Sequence, residues 1–328
     1  MPTLEKIAVS WPLFVCAVMV PWNGAAIAQA QPYPAKPIRI ITTDPAGAAD
    51  IAARLIAPTL TANLGQQVII DNRPGAGSIT SIETVARSVP DGYTLLLHGS
   101  PVWLMQFMRA NLPWDPLRDL APVSLATTLP NVLTVHPSLP VKNVKDLIAL
   151  AKARPGELNY GAGSPGASNH LAAELFNSMA RINMVRIGYK GGGPAVLGLI
   201  GGQTQLMFAT AASVKPHIDS GRLRAVAVTT ASPSVLFPGL PTVAASGLPG
   251  YEALTIYGLF APAKTSAAVI NLLNKEVVGA LARPDVKERL ARSGAESASS
   301  TPEGFGVIVR DDIARWGKVI RDAGIRAE

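Results

Sequence analysis

Short apolar runs rich in Val, Ile and Leu alternate with helix-patterned stretches along the chain. A few β-branched residues bounded by turn formers read as a buried strand, and apolar positions three and four apart read as an amphipathic helix. Strands are predicted at 38–41, 68–70, 94–97, 132–135, 158–160, 184–187, 205–208, 224–228 and 255–260. Helices are predicted at 51–63, 78–88, 144–153, 168–180, 194–200, 266–283, 284–293 and 302–323. Such alternation builds parallel sheets through right-handed crossovers, so the fold class is α/β. Pro58 cannot donate to the carbonyl four residues earlier, which predicts a kink or an early stop in the first helix.

The joints between strand and helix are made of small residues. The first is Thr42-Thr43-Asp44-Pro45-Ala46-Gly47-Ala48-Ala49-Asp50. Related turns recur at Asp71-Asn72-Arg73-Pro74-Gly75-Ala76-Gly77-Ser78, at Gly161-Ala162-Gly163-Ser164-Pro165-Gly166-Ala167 and at Tyr189-Lys190-Gly191-Gly192-Gly193-Pro194. A small turn between a strand end and a helix start leaves backbone N–H groups free for an anion. Their recurrence predicts a ligand cleft.

Trp11 to Val20 forms a short apolar run behind Lys6, and the segment closes on Ala28-Gln29-Ala30, the small-x-small pattern of a signal-peptidase site. The run falls short of the roughly 20 residues that span a bilayer. Export is therefore expected, with residues 1–30 removed near Ala30. Cys16, the one cysteine, leaves with that segment, so the mature chain has no disulfide, thiolate metal site or thiol nucleophile. The net charge of +7 comes without a long Lys/Arg block, and export argues against nucleic acid. The charge serves solubility or weakly steers anionic ligands.

The mature length suits two domains. Two extended passages, 121–130 and the Pro/Gly-rich 236–251, look like crossings between them. Two crossings imply an inserted arrangement, with one domain at 31–128 plus 251–328 and the other at 129–250.

Several motifs bear on chemistry. Gly161-Ala162-Gly163-Ser164-Pro165-Gly166 matches G-x-G-x-x-G, yet Val185-Arg186-Ile187 stands where a ribose-binding acid belongs. An anion-binding turn and a purely structural turn are the alternatives to a dinucleotide site. Ser164 resembles an elbow nucleophile, but Pro165 has no N–H to complete an oxyanion hole. His98, His136, His170 and His217 lack zinc-hydrolase spacing, and no cofactor or metal is predicted. His170 either donates to a ligand or packs; Asp50 either caps its helix or touches a ligand; Arg73 either pairs with a ligand carboxylate or holds its turn. No carboxylate pair or triad order emerges, so an enzyme reading lacks its players.

Further pieces, read in order, are Tyr33-Pro34-Ala35-Lys36-Pro37-Ile38, Leu64-Gly65-Gln66, Asp71-Asn72-Arg73-Pro74-Gly75-Ala76-Gly77, Pro90-Asp91-Gly92-Tyr93-Thr94-Leu95-Leu96, His170-Leu171-Ala172-Ala173-Glu174-Leu175-Phe176, Tyr189-Lys190-Gly191 and Gly201-Gly202-Gln203. With these the mature chain resembles the substrate-binding receptors of tripartite tricarboxylate transporters, the Bug or TctC type. The resemblance implies a two-lobed periplasmic-binding-protein-like (type II) fold, each lobe a mostly parallel sheet flanked by helices. It implies a periplasmic receptor, not an enzyme, that closes on a small carboxylate-bearing ligand and delivers it to the membrane subunits of the transporter. Backbone amides and ordered waters at Pro45–Asp50, helped by the turn at Gly161–His170, would hold a carboxylate.

Turns and resemblance together nominate Thr43, Ala46, Gly47, Ala48, Asp50, Asn72, Gly77 and Ser100 in the first lobe. In the second they nominate Ser164, Gly166, Ala167, Ser168, His170, Tyr189 and Thr210. Hinges are expected at 125–130 and 249–255, and a monomer is the default. Compared with relatives, an aromatic wall becomes Thr43 and an acid appears at Asp44, while Ala162, Gln205 and Ala209 replace a common serine and two frequent acids. The alternatives are the same receptor signalling to a membrane kinase, and an exported hydrolase acting through Ser164.

Overall fold

Every predicted strand and helix forms in the computed structural model, which describes residues 33–326 apart from Asp44, Ala46, Gly47, 74–77, Ser164, Pro165 and Lys190. The expected signal segment with its cleavage near Ala30, and the nominated Ala46, Gly47, Gly77 and Ser164, lie outside the described residues.

One half of the sheet carries three parallel strands, β1 (Ile38–Thr42), β2 (Val68–Asn72) and β3 (Thr94–Gly99), in the order β2-β1-β3. The long strands β4 (Leu120–Val135) and β9 (Leu254–Pro262) complete it in antiparallel pairing, and β10 (Glu296–Ser297) adds to β4. The other half is β7 (Leu206–Thr210), β5 (Asn159–Ala162) and β6 (Val185–Gly188), parallel to one another. There β7 lies antiparallel to β4, and β8 (Arg224–Val228) also pairs with β4.

Side-chain alternation divides each half into two buried faces. In the first half Ile38, Ile40, Leu95, Leu97 and Leu259 pack under helices α1 (Ala48–Leu64), α8 (Ala267–Ala282) and α9 (Pro284–Arg292). Ile41, Leu96 and Phe260 face the other way, toward α2 (Ile79–Ala86), the single turn α3 (Pro101–Leu104) and α10 (Pro302–Asp322). In the second half Leu133, Tyr160 and Phe208 meet α4 (Val144–Ala153) and α5 (Ser168–Ala180), whereas Val132, Met207 and Ala209 meet α6 (Gly192–Ile200) and α7 (Ala211–Asp219). Strands buried on both faces read as continuous apolar runs, which is the pattern the sequence carries. Helix α10 lies tight against the sheet at Gly258 in β9, where a Cβ would stand 2.1 Å from the Phe305 ring. Phe305 is fully buried and has nowhere to move.

One detail narrows the sequence reading and one differs from it. Helix α1 runs through Pro58 to Leu64 with no early stop. Pro58 and Arg54 are both exposed, so the carbonyl deprived of its donor lies on the water side of the helix. The passage 121–130 is itself strand, the first part of β4 paired along β9.

The direction of β4 fixes what faces what. It pairs with β9 up to Pro130 and with β7 from Asn131 onward. Because β9 is antiparallel to both, β3 runs with β4 and ends toward that switch, and β1 and β2 end on the same side. Strand β7 runs against β4 and so returns to the switch, with β5 and β6 beside it. The carboxyl ends of both parallel sets therefore converge on Pro130 and Asn131. One core cluster continues through both halves, and from Tyr33 onward the chain packs as one compact unit.

Candidate functional site

Ligands of open α/β sheets bind in crevices outside the carboxyl ends of the strands. All the described nominees lie there. Thr43 follows β1, Asn72 ends β2, and Ser100 follows β3 as the residue before α3. Gly166, Ala167, Ser168 and His170 join β5 to α5, Tyr189 follows β6, and Thr210 ends β7 as the N-cap of α7. Helices α1, α5 and α7 begin at these turns with Ala48, Ser168 and Ala211, so their unpaired N–H groups and positive dipole ends are directed there.

At the first turn Asp50 is buried in the third position of α1, past the N-cap position. Arg54, one turn on, donates Nε to both carboxylate oxygens at 3.0 Å, and its Nη2 reaches Asn72 Oδ1 at 3.0 Å. Asn72 Nδ2 donates to Asp50 Oδ1 at 2.8 Å and to Thr42 Oγ1 at 2.7 Å. The guanidinium offsets the Asp50 charge, so the field of the α1 N-terminus is not cancelled by a buried carboxylate beside it. Arg73 Nε donates to Asp71 Oδ2 at 3.1 Å, and its backbone N–H donates to Thr42 O.

In the second turn Gly166 has φ +77°, and its N–H donates to His170 Nδ1 at 3.1 Å. A Cβ on Gly166 would stand 2.2 Å from Met108 Sδ, which brings a side chain from the first half of the sheet against this turn. His170 is buried, its ring stacked on Tyr160, with Nε2 4.0 Å from Glu174 Oε1. Burial, reinforced by the Arg186 guanidinium, holds its pKa down at about 4, so the ring is neutral with Nδ1 as acceptor. Packing and turn support is the role this geometry favours. Arg186 donates to Gly163 O, and Asn169 Oδ1 accepts from Gly163 N–H at 3.2 Å. Tyr189 lays its ring over Gly198 and donates to Gln203 Oε1 at 3.1 Å.

Two departures noted in the sequence differ in place: Gln205 lies before β7, and Ala209 is next to the carboxyl end of that strand with its side chain on the helix-covered face. Gln205 accepts from Asn159 N–H at 2.8 Å, and Ala209 is buried under α6 and α7. Among the described residues no group of three or more His, Cys, Asp and Glu could hold a metal ion, and no helix is long and apolar enough to cross a membrane.

Residues 52–325 match the tripartite tricarboxylate transporter family receptor. The chain belongs to this receptor family. It is 39% identical to Protein BugT of Bordetella pertussis over 96% of this chain and 98% of that one. Among solved structures it is similar to R. palustris Rpa4515 with adipate, at 34% identity and TM-score 0.76, over 90% of this chain and all of that one. It is also similar to MatC from Rhodopseudomonas palustris with bound malate, at 27% identity and TM-score 0.71, over 88% of this chain and all of that one. The receptor has the mixed α/β, periplasmic-binding-protein-like fold of these neighbours, its strands joined in one ten-stranded sheet.

Some residues around the receptor's turns escaped the sequence reading. Arg54 carried a usable signal, since it stands four residues after Asp50 on a predicted helix. Arg186 was seen only as a missing acid. Met108, Thr229 and Asn131 reach the region through tertiary packing and strand pairing, for which the local sequence offers no cue.

Proposed function

We propose that this receptor binds a small carboxylate-bearing metabolite between a lobe at 31–128 plus 251–328 and an inserted lobe at 129–250, and delivers it to the membrane subunits of a tripartite tricarboxylate-type transporter. The observation that carries the reading is the convergence of both sets of strand ends, each with helix N-termini, on the Pro130/Asn131 switch of β4. Turn amides at Thr43, Ala46, Gly47 and Ala48, beside the Asp50–Arg54–Asn72 cluster, Gly77 and Ser100, replace water around one carboxylate. Ser164, Gly166, Ala167, Ser168, Tyr189 and Thr210 close from the other side, with His170 bracing their turn. The hinges lie at 125–130 and 249–255, and the bound ligand bridges the lobes and favours the closed state. Adipate in Rpa4515 and malate in MatC support a dicarboxylate class of ligand. Residues 1–30 are removed on export near Ala30, the mature chain is a monomer, and it catalyses no reaction.

The test is to purify the mature chain, release any co-purified small molecule for mass spectrometry, and run thermal shifts with mono-, di- and tricarboxylates, amides and amines. A carboxylate that raises the melting temperature with dose supports the reading. Stabilisation by amines or neutral compounds alone refutes the carboxylate class, with Asp44 as the first residue to replace.

A further inference from the structure

Strand β4 changes partner at a single residue. Pro130 is the last to pair with β9, and Asn131, opposite Thr210, is the first to pair with β7. Leu129 and Leu133 flank Asn131 at two-residue spacing and share its side of the strand. Leu129 packs with the α1, α8 and α9 cluster of the first half, and Leu133 with the α4 and α5 cluster of the second. The Asn131 side chain stands between these two coverings, at the point where both sets of strand-end turns converge.

Its backbone is fully used: the N–H donates to Thr229 Oγ1 at 3.0 Å, and the carbonyl accepts from Thr229 N–H at 2.9 Å. Its carboxamide is not. Asn131 is fully buried, and neither Oδ1 nor Nδ2 has a hydrogen-bond partner. Thr210, across the ladder, directs Oγ1 to Ser213 instead, at 3.0 Å. A buried carboxamide without partners costs the chain the desolvation of a donor and an acceptor, and leucine of similar size would cost less.

We propose that the Asn131 carboxamide reads the ligand from the floor of the cleft, meeting a hydroxyl or carboxamide group carried beyond the ligand's carboxylate. This rests on the receptor reading given above. Oδ1 accepts and Nδ2 donates side by side. A carboxylate offers acceptors alone and leaves Oδ1 facing like charge, whereas a hydroxyl or primary amide satisfies both atoms. Because Asn131 is fully buried, the group is reached when the lobes part and is paired when they close. A site built to hydrogen-bond such a group discriminates strongly against the analogue that lacks it.

The experiment compares wild type with Asn131→Leu, by ligand-free melting temperature and by calorimetric titration with two matched pairs: succinate against malate, and adipate against its monoamide. Expected are a preference of about tenfold or more for the hydroxyl- or amide-bearing member in wild type, its collapse toward one in Asn131→Leu, and a melting temperature in the variant equal to or above wild type. A wild type that binds a compound without distinguishing its pair, a variant that keeps the distinction, or a variant that melts lower overturns the inference. A wild type that binds none of the four compounds also overturns the inference, and the receptor reading falls separately only if no carboxylate raises the melting temperature.

Discussion

Two buried groups give the receptor opposite dependences on pH, and separating them tests the electrostatics of the second turn. Burial and Arg186 lower the His170 pKa from 6.5 to about 4, so unfolding takes up a proton in that window and stability falls as pH drops from about 6.5 to about 4. Asp312 on α10 behaves inversely. Burial raises it from 3.8 to about 6, despite hydrogen bonds from Trp103 Nε1 at 3.1 Å and Trp316 Nε1 at 3.2 Å and the nearby Arg315. Its folded form holds a proton that the unfolded form releases, so stability falls as pH rises from about 3.8 to about 6. Each shift is worth about 3 kcal/mol across its window, and between pH 4 and 6 the two slopes nearly cancel. His170→Asn keeps an acceptor for Gly166 N–H but removes the titrating ring. Relative to wild type its stability should fall by about 1 kcal/mol per pH unit from pH 4 to pH 6. Urea unfolding at four pH values measures this, and the slope decides because lost ring packing on Tyr160 shifts every point equally. Parallel wild-type and variant profiles would refute a neutral, buried His170.

Gly166→Ala pairs a left-handed backbone cost of about 1–2 kcal/mol with a collision at Met108 Sδ. In a Met108→Ala background only the backbone cost should remain, so a double-mutant cycle in denaturant should show coupling, and strict additivity would remove the Met108–Gly166 contact. Thr229→Val removes the hydroxyl that accepts from Asn131 N–H and donates toward Ala253 O at 2.6 Å, where the two crossing strands run side by side. It should cost about 2 kcal/mol by leaving a buried N–H unpaired, read as a lower urea midpoint with unchanged m-value, and no loss would sever that tie.

The architecture was legible because it is written in local pattern. Helices α4 and α5 begin and end where their apolar spacing predicts, and β8 does likewise. What local pattern lacks went unread. Helix α7 carries Pro216 and few buried apolar positions, and β10 is two residues on an edge of β4. The first part of β4 holds Pro122 and Pro130, which suit a linker as well as a strand, and only the pairing with β9 decides between them.

The site divides along the same line. Turns between strand and helix betray themselves by small residues and helix starts, so the nominated positions among the described residues fall at the ends of the parallel strands. Which turns face one another is a property of strand direction. It follows from β4 being antiparallel to both β9 and β7, two pairings far apart in sequence. The residues between the turns inherit that limit. Thr229 and Asn131 lie 98 positions apart, yet one backbone hydrogen bond and the Thr229 hydroxyl join them at the switch. A local reading sees Asn131 as a residue disfavoured in strands and Thr229 as an ordinary strand former just past the end of β8, and nothing more. Their joint place beneath both sets of strand ends separates their roles. Thr229 ties the crossing strands, and Asn131 keeps a polar group in a core position that leucine would otherwise fill.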